Sequence, residues 1–198
     1  MSVAVPGLAP LEWTGVAGRA SYRAGTLELE AAAGVDWIIP ATGEPAQHDA
    51  TALAFVAPVE FSLSARVTVS QPRSTYDAGV LAIWADPDHW AKLCFEFSPQ
   101  GQPMVVSVVT NGISDDVNSA SVSTDSVYLR IVRTGKAWAF HASPDGQEWN
   151  FVRVFRLATT RPVRVGFLAQ APRGDRCQAR FDEISLTTDI PGDLRDGS

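Results

Sequence analysis

The stretch YDAGVLAIWADPDHWAKLCFEF, residues 76–97, is the one around which the rest of the chain is organised. Two apolar segments flank the turn residues Asp86, Pro87 and Asp88, a pattern that predicts a β-hairpin. The second arm alternates, with one face formed by Ala91, Leu93, Phe95 and Phe97 and the other by Trp90, Lys92, Cys94 and Glu96. An indole, a cation and a carboxylate on one strand face are unusual for a solvated surface. We therefore interpret this face as the floor of a shallow binding site.

Short alternating segments separated by Gly, Pro, Asn and Asp continue along the chain, and none shows a sustained helical period. Residues 51–57 and 61–69 are predicted to pair as a hairpin through Pro58, and residues 128–133 and 136–142 through Thr134-Gly135. Residues 41–49 and 111–116 are predicted to be polar loops. The pattern predicts an all-β protein, a two-sheet antiparallel jelly-roll sandwich. We expect one domain over residues 1–190 and a flexible tail over 191–198.

Composition excludes several functional classes. The apolar content of 45% and charged content of 19% are typical of a globular protein, and no apolar run reaches the roughly 20 residues that span a bilayer. A net charge of −6 argues against a nucleic-acid partner. The N-terminal residues lack the pattern of a signal peptide, so Cys94 and Cys177 are expected to be reduced thiols of a cytoplasmic protein.

A set of short motifs occurs in a fixed order between residues 13 and 186. The motifs are Asp36-Trp37, Tyr76-Asp77-Ala78-Gly79, Trp90-x-Lys92-x-x-x-Glu96, Ser107-Val108-Val109-Thr110, Ser114-Asp115-Asp116, Arg130, Ser143-x-Asp145-Gly146-x-x-Trp149, Arg153 and Gly166-Phe167. In this order and spacing the chain resembles an uncharacterised family of the regulation-of-enolase type. The resemblance implies a concanavalin A-like lectin/glucanase jelly roll with a concave and a convex face. It implies no established activity, although wider members of this fold bind or cleave polysaccharides in the concave groove.

Polar side chains on otherwise apolar strands are the candidate ligand-binding residues. We expect the following set on the concave face: Asp77, Trp90, Lys92, Glu96, Arg130, His141 and Arg153. The Trp90 indole suits stacking on a sugar ring, and arginines suit an acidic group. Lys92 and Glu96 are equally compatible with a structural ion pair. The leading hypothesis is a non-catalytic, lectin-like module that binds a sugar or a sugar acid.

Two further hypotheses remain open. A retaining glycosidase needs two carboxyl groups about 5–5.5 Å apart, and the strand around Lys92 supplies only Glu96. A glycoside hydrolase or lyase would therefore have to use Glu96 together with Asp77 or His141, which makes catalysis the weaker hypothesis. The third hypothesis, a protein-interaction scaffold linked to metabolic enzymes, follows from the resemblance.

No cofactor is expected. The three histidines, His48, His89 and His141, have no ligand-like spacing, so we predict no zinc site. The acidic turns Asp86-x-Asp88 and Ser114-Asp115-Asp116 offer oxygen ligands of the kind that calcium takes. Acidic turns of this type are more typical of Asx turns, so calcium is kept as the alternative.

Overall fold

Seventeen β-strands account for the regular secondary structure of the computed structural model, which describes residues 2–197. The strands are β1 (Ser2–Val3), β2 (Leu11–Thr14), β3 (Arg19–Arg23), β4 (Thr26–Ala32), β5 (Trp37–Ile38), β6 (Gln47–His48), β7 (Thr51–Val56), β8 (Phe61–Val69), β9 (Ala78–Asp86), β10 (His89–Phe97), β11 (Pro103–Asn111), β12 (Ser114–Ser121), β13 (Ser126–Thr134), β14 (Ala137–Ser143), β15 (Asn150–Phe155), β16 (Arg164–Gln170) and β17 (Arg176–Thr187).

Two large antiparallel sheets pack face to face. The eight-stranded sheet has the order β1-β2-β7-β16-β9-β10-β11-β12, and the seven-stranded sheet has the order β15-β14-β13-β8-β17-β4-β3. Strands β5 and β6 form a separate small hairpin. This arrangement confirms the predicted all-β, two-sheet sandwich of the jelly-roll type.

Alternation along the strands builds the core between the sheets. In β8 the odd-numbered residues from Phe61 to Val69 are buried and the residues between them are only half-buried. The central hairpin, which the sequence predicts, contributes from the other sheet, and its register pairs Leu93 of β10 with Leu81 of β9. Because apolar residues two apart share a strand face, each sheet presents a continuous apolar surface to the other.

The outer face of the eight-stranded sheet carries a second, smaller apolar cluster. Trp37, from the β5–β6 hairpin, lies over the outward-facing residues of β9 and β10 and is 1% exposed. Strand β10 is therefore buried on both faces along nearly its whole length. The β5–β6 hairpin covers only part of the outer face, and the uncovered part forms a cavity.

Two local predictions are wrong. Strands β7 and β8 do not form a hairpin through Pro58, because β7 pairs with β2 and β16 in one sheet while β8 pairs with β13 and β17 in the other. The predicted loop over residues 111–116 contains the start of an edge strand, β12, which is exposed along nearly its whole length. The hairpin of β13 and β14 through Thr134-Gly135 is confirmed.

A very close approach of two strands explains one glycine. Gly166 of β16 lies opposite Ala54 of β7, and a Cβ atom at position 166 would lie 2.0 Å from the Leu53 carbonyl oxygen. Only glycine fits there.

Residues after β17 fold back over the seven-stranded sheet. The carbonyl oxygens of Leu194 and Gly197 accept hydrogen bonds from His141 and Arg130 on its outer face. In the segment predicted as a flexible tail, residues 193–197 thus make specific contacts. No helix of residues 2–197 is long and apolar enough to cross a membrane. Cys94 and Cys177 are free and buried.

Candidate functional site

A cavity of about 430 Å³ opens on the outer face of the eight-stranded sheet. Strands β10 and β11 form its floor, β12 forms one wall, and the segments around residues 36–47 and 170–173 form the others. The polar residues that matter most for its chemistry are Asp36, Lys92, Glu96, Asp116, Gln170 and Arg173. Its volume falls in the usual range for small-molecule sites.

Lys92 is fixed at the bottom of this cavity. Strand alternation points it outward from β10, where its Nζ donates to Asp36 Oδ1 at 2.8 Å and to Gln170 Oε1 at 2.9 Å. The residue is 2% exposed. Burial lowers the pKa of Lys92, but the Asp36 carboxylate and neighbouring negative groups outweigh that effect and leave the pKa above its ordinary value. Lys92 therefore remains charged, and Asp36 neutralises it.

Glu96 lies four residues further along the same strand face. It is 9% exposed, lines the cavity, and makes no side-chain hydrogen bond to any residue between 2 and 197. Burial raises the pKa of Glu96 from 4.5 to about 7, against the attraction of Lys92 and with a further contribution from Asp36 and Asp116. A buried carboxyl group that faces a cavity without a partner is typical of a ligand-binding or catalytic position.

Asp116 reaches the cavity from the edge strand β12. Its side chain is exposed at the cavity mouth, yet the surrounding protein removes enough water to raise its pKa, and the Asp36 and Asp115 carboxylates add to the rise. Lys92 attracts the ionised form and opposes the shift. The cavity therefore holds two carboxyl groups, on Glu96 and Asp116, that ionise less readily than usual.

Tyr76 borders the cavity in a strained backbone conformation. Its φ angle is 69°, in the left-handed region that only glycine adopts freely. Its amide donates to the Phe97 carbonyl at 2.7 Å, and its carbonyl accepts from Gln170 Nε2 at 3.0 Å. Strain of this kind costs roughly 1–3 kcal/mol and is concentrated at functional sites.

Trp90 occupies the predicted face but is not available to a ligand. It is 0% exposed, its Nε1 donates to the Pro87 carbonyl at 3.0 Å, and its ring lies 5.9 Å from the Trp37 ring. The β5–β6 hairpin packs over the Trp90 ring, which explains why this ring is buried instead of open to a ligand. Trp90 thus has no ring face open for stacking.

Asp77 points into the sandwich, away from Glu96. Its Oδ2 accepts from the Ser74 amide at 2.8 Å, and the carboxyl group lies near Arg73, whose Nη2 donates to the Asp77 carbonyl. It shares its strand face with Gly79, where a Cβ atom would meet Val67 of the opposite sheet. Asp77 therefore cannot act together with Glu96.

Arg130 and His141 are neighbours, but on the other sheet. They are paired residues of β13 and β14 and project from the outer face of the seven-stranded sheet. Arg153, on the edge strand β15, binds Asp115 of β12 with Nη2 2.8 Å from Oδ2, and so joins the edges of the two sheets. Of the seven predicted ligand-binding residues, only Lys92 and Glu96 line the cavity, so the expectation of one shared face is not met.

Several residues of the cavity were not predicted from the sequence to bind a ligand. Asp36, Tyr76 and Asp116 had appeared in the family motifs, and Asp116 also as a calcium alternative, but none was predicted to bind a ligand on the concave face. Gln170 could have been identified from the sequence, because it is a polar residue at the end of an apolar strand. In the structure its side chain is buried, with 1% of the residue exposed. Arg173 follows that strand in an exposed turn and carried no signal.

In the acidic turns considered for calcium, the Asp86 and Asp115 carboxylates have protein partners. Asp86 Oδ1 accepts from the Asp88 amide at 3.0 Å and lies 2.8 Å from His89 Nδ1, while Asp86 Oδ2 lies 3.3 Å from Arg161. Within residues 2–197, no three His, Cys, Asp or Glu side chains are grouped so that they could hold a metal ion.

Solved structures with the same fold include one of nearly the same length. A functionally unknown protein from Saccharomyces cerevisiae is 26% identical, has a TM-score of 0.82, and is matched over 97% of its chain and 91% of this one. A xylan β-1,4-xylosidase from Bacillus halodurans is 18% identical with a TM-score of 0.65, and the alignment covers 83% of this chain but 33% of the enzyme. The alginate lyase from Klebsiella pneumoniae is 14% identical with a TM-score of 0.54, covering 84% of this chain and 82% of the lyase.

These enzyme structures establish the shared β-sandwich fold. This chain spans about a third of the xylosidase, and no curated protein matches its sequence. A family model described as "Protein of unknown function (DUF1349)" matches residues 13–189, which include both sheets and the cavity. The chain therefore belongs to the DUF1349 family.

Proposed function

We propose that the cavity on the outer face of the eight-stranded sheet is a carbohydrate-binding site. The observation that carries this proposal is the Glu96 carboxyl group, which is buried, faces the cavity and lacks a hydrogen-bond partner among residues 2–197. A sugar hydroxyl would supply that partner. Because the Glu96 carboxyl group opens into the cavity, this hydrogen bond would replace one to water, and such an exchange contributes about 0.5–1.5 kcal/mol, or up to about 3 kcal/mol when the carboxyl group is ionised.

The charges favour a neutral sugar at the cavity floor. Lys92 is already neutralised by Asp36, and Glu96 and Asp116 add negative charge when ionised. A carboxylate placed beside these groups would be repelled. A sugar acid would have to direct its carboxylate towards Arg173, which lines the exposed side of the cavity.

Apolar contacts complete the site. Val106 and Val108 on β11 line the floor between the polar groups and suit the C–H face of a sugar ring. Tyr76 takes the stacking role expected of Trp90, because it is the aromatic residue that borders the cavity among those described.

Calorimetric and thermal-shift titrations with neutral oligosaccharides and uronic acids test this proposal. A ligand present at a hundred times its dissociation constant stabilises the folded state by about 2.7 kcal/mol, which corresponds to about 5–10 °C in Tm for a chain of this size. Glu96→Gln should weaken binding at least tenfold. Glu60→Gln, which changes an exposed glutamate outside the cavity, is the matched control. If no sugar binds, or if both variants bind equally well, the proposal fails.

A glycoside hydrolase or lyase is the second candidate, with Asp116 in place of Asp77 or His141. The observation in its favour is that Glu96 and Asp116 share one cavity and both have raised pKa values, as general acids do. Product formation from polysaccharides, abolished in both Glu96→Gln and Asp116→Asn, would establish this activity. Binding without turnover would remove it.

A regulatory role towards a metabolic enzyme such as enolase, implied by the family resemblance, stays a prediction. Direct binding measurements between this protein and purified enolase would test it.

A further inference from the structure

A group of basic and aromatic side chains lies on the outer face of the seven-stranded sheet, outside the cavity. It consists of Arg130 on β13, His141 on β14, and the aromatic rings of Trp149 and Phe151. The Arg130 guanidinium lies 4.2 Å from the Trp149 ring centre, and the His141 ring lies 6.3 Å from that of Phe151. We call this group the cation–aromatic face.

Residues 193–197 cover the cation–aromatic face, using backbone carbonyl groups. Arg130 Nη2 donates to the Gly197 oxygen at 2.6 Å, and His141 Nε2 lies 2.7 Å from the Leu194 oxygen. Since a carbonyl only accepts, His141 donates from Nε2, and its Nδ1 is then an unprotonated acceptor. The same segment thus satisfies one donor on each residue.

With residues 193–197 in place, Arg130 and His141 each keep one buried nitrogen without a hydrogen-bond partner among residues 2–197. Arg130 is 9% exposed and His141 0%, and Arg130 Nε and His141 Nδ1 are buried without hydrogen-bond partners among residues 2–197. Burial lowers the pKa of Arg130 to about 10 and that of His141 to about 4. Among residues 2–197, the Arg130 guanidinium is paired with one carbonyl oxygen and the Trp149 ring, and an anion would offset its desolvation cost more fully.

The cover fits closely but is not part of the matched family domain. Gly197 has a φ of 80°, and a Cβ atom there would lie 3.0 Å from Arg130 Nη2 and from the Trp149 backbone oxygen. The cation–aromatic face lies within residues 13–189, which the family model matches, whereas the covering segment follows them. Residues 193–197 therefore lie outside the matched domain and occupy a surface that belongs to it.

We propose that the cation–aromatic face is a second binding site, for a small carboxylate, and that residues 193–197 are a displaceable cover of it. A carboxylate would accept hydrogen bonds from Arg130 and His141 in place of the two carbonyl groups and would place a negative charge beside the guanidinium. Trp149 would bound the site through its contact with the guanidinium. This site is independent of the carbohydrate cavity.

Calorimetry with succinate on the full chain tests this proposal, with sodium chloride at equal ionic strength as the background. Gly197→Val should dislodge the cover, because its side chain would collide with Arg130 and Trp149 and the backbone conformation is unfavourable for valine. Gly25→Val is the matched control, since Gly25 has a similar φ of 84° and nothing within 4 Å of its Cβ position. We expect Gly197→Val to bind succinate at least tenfold more tightly than the parent and Gly25→Val, and we expect Arg130→Gln to abolish this gain.

The NMR signals of the His141 ring report release of the cover. Release without a gain in succinate affinity overturns the proposal, as does a gain that persists when Arg130→Gln is added. If Gly197→Val leaves the ring signals unchanged, Asp193→Ala is added to remove the hydrogen bond from the Arg195 amide to Asp193 Oδ1. Unchanged signals in that double variant would show that the cover is not displaceable and would also overturn the proposal.

Discussion

Replacing Asp36 with asparagine should destabilise the protein by leaving the Lys92 ammonium without a counter-charge. Asp36 is the one carboxylate within ion-pair distance of Lys92 among residues 2–197, and the two side chains are 14% and 3% exposed. Removal of one partner of a buried ion pair costs about 3–5 kcal/mol. Asparagine keeps an oxygen that can accept from Lys92 and from the Trp37 amide, so we expect about 3 kcal/mol, the lower end of the range.

Urea unfolding followed by tryptophan fluorescence measures this loss. With an m-value of about 2 kcal/mol/M, the midpoint should fall by about 1.5 M. Glu28→Gln is the matched control, because it removes a charge from the Arg180–Glu28 pair, whose side chains are 50% and 35% exposed. Such surface pairs contribute about 0–1 kcal/mol.

A second substitution separates the charge effect from a general effect on packing. Lys92→Met removes the ammonium and keeps most of the side-chain volume, so Asp36→Asn combined with Lys92→Met should be more stable than Asp36→Asn alone. If Asp36→Asn costs no more than Glu28→Gln, or if Lys92→Met does not restore stability, an uncompensated buried charge is not the cause and the reasoning is refuted.

Three further predictions concern protonation, reactivity and packing. Because the pKa of Glu96 rises from 4.5 to about 7 on folding, the folded protein retains a proton that the unfolded chain has lost, so stability should fall by about 3 kcal/mol as the pH rises through this range. Glu96→Gln should lack this loss in urea titrations at several pH values. Burial raises the pKa of Cys94 well above 9.0 and that of Cys177 to about 12, so neither thiol should react with Ellman's reagent until the protein unfolds. Gly166→Ala should cost more than 3 kcal/mol in urea unfolding because its methyl group would overlap the Leu53 carbonyl.

Clear outcomes would contradict these three predictions. An equal pH dependence in Glu96→Gln would show that another group is responsible. A thiol that reacts as fast in the native as in the unfolded protein would contradict the buried placement of the cysteines. A Gly166→Ala variant with unchanged stability would show that β7 and β16 can separate at no cost.

The strand faces were predictable from the sequence because side chains alternate with a period of two. The face that carries Lys92 and Glu96 was identified correctly, and so was the hairpin of β9 and β10, whereas the register that brings Trp90 opposite Trp84 is a finding of the structure. The same rule does not tell which of the two sheets a strand joins. Arg130 and His141 form a real pair, but on the other sheet, so combining them with Lys92 joined two separate groups.

The environment of the cavity was not predictable from local pattern. Trp90 is on the expected face but is covered by residues that come about fifty positions earlier, and Lys92 is neutralised by Asp36 from the same distant segment. Neither contact can be predicted from the alternation of apolar and polar residues in β10. The path of a long connection over a sheet depends on tertiary contacts. The periodicity of side chains along a strand carries no information about these contacts.

The positions of β16 and β17 have a consequence for synthesis of the chain. Each enters the interior of a sheet, β16 between β7 and β9 and β17 between β8 and β4, although both come late in the sequence. While a ribosome is still making the first 160 or so residues, each sheet is divided by an unfilled gap with unpaired strand edges on both sides. Domains rich in such non-local pairing fold slowly and expose surfaces prone to aggregation. The two sheets therefore cannot close until β16 and β17 have been made, and the open strand edges expose the nascent chain to aggregation during that interval.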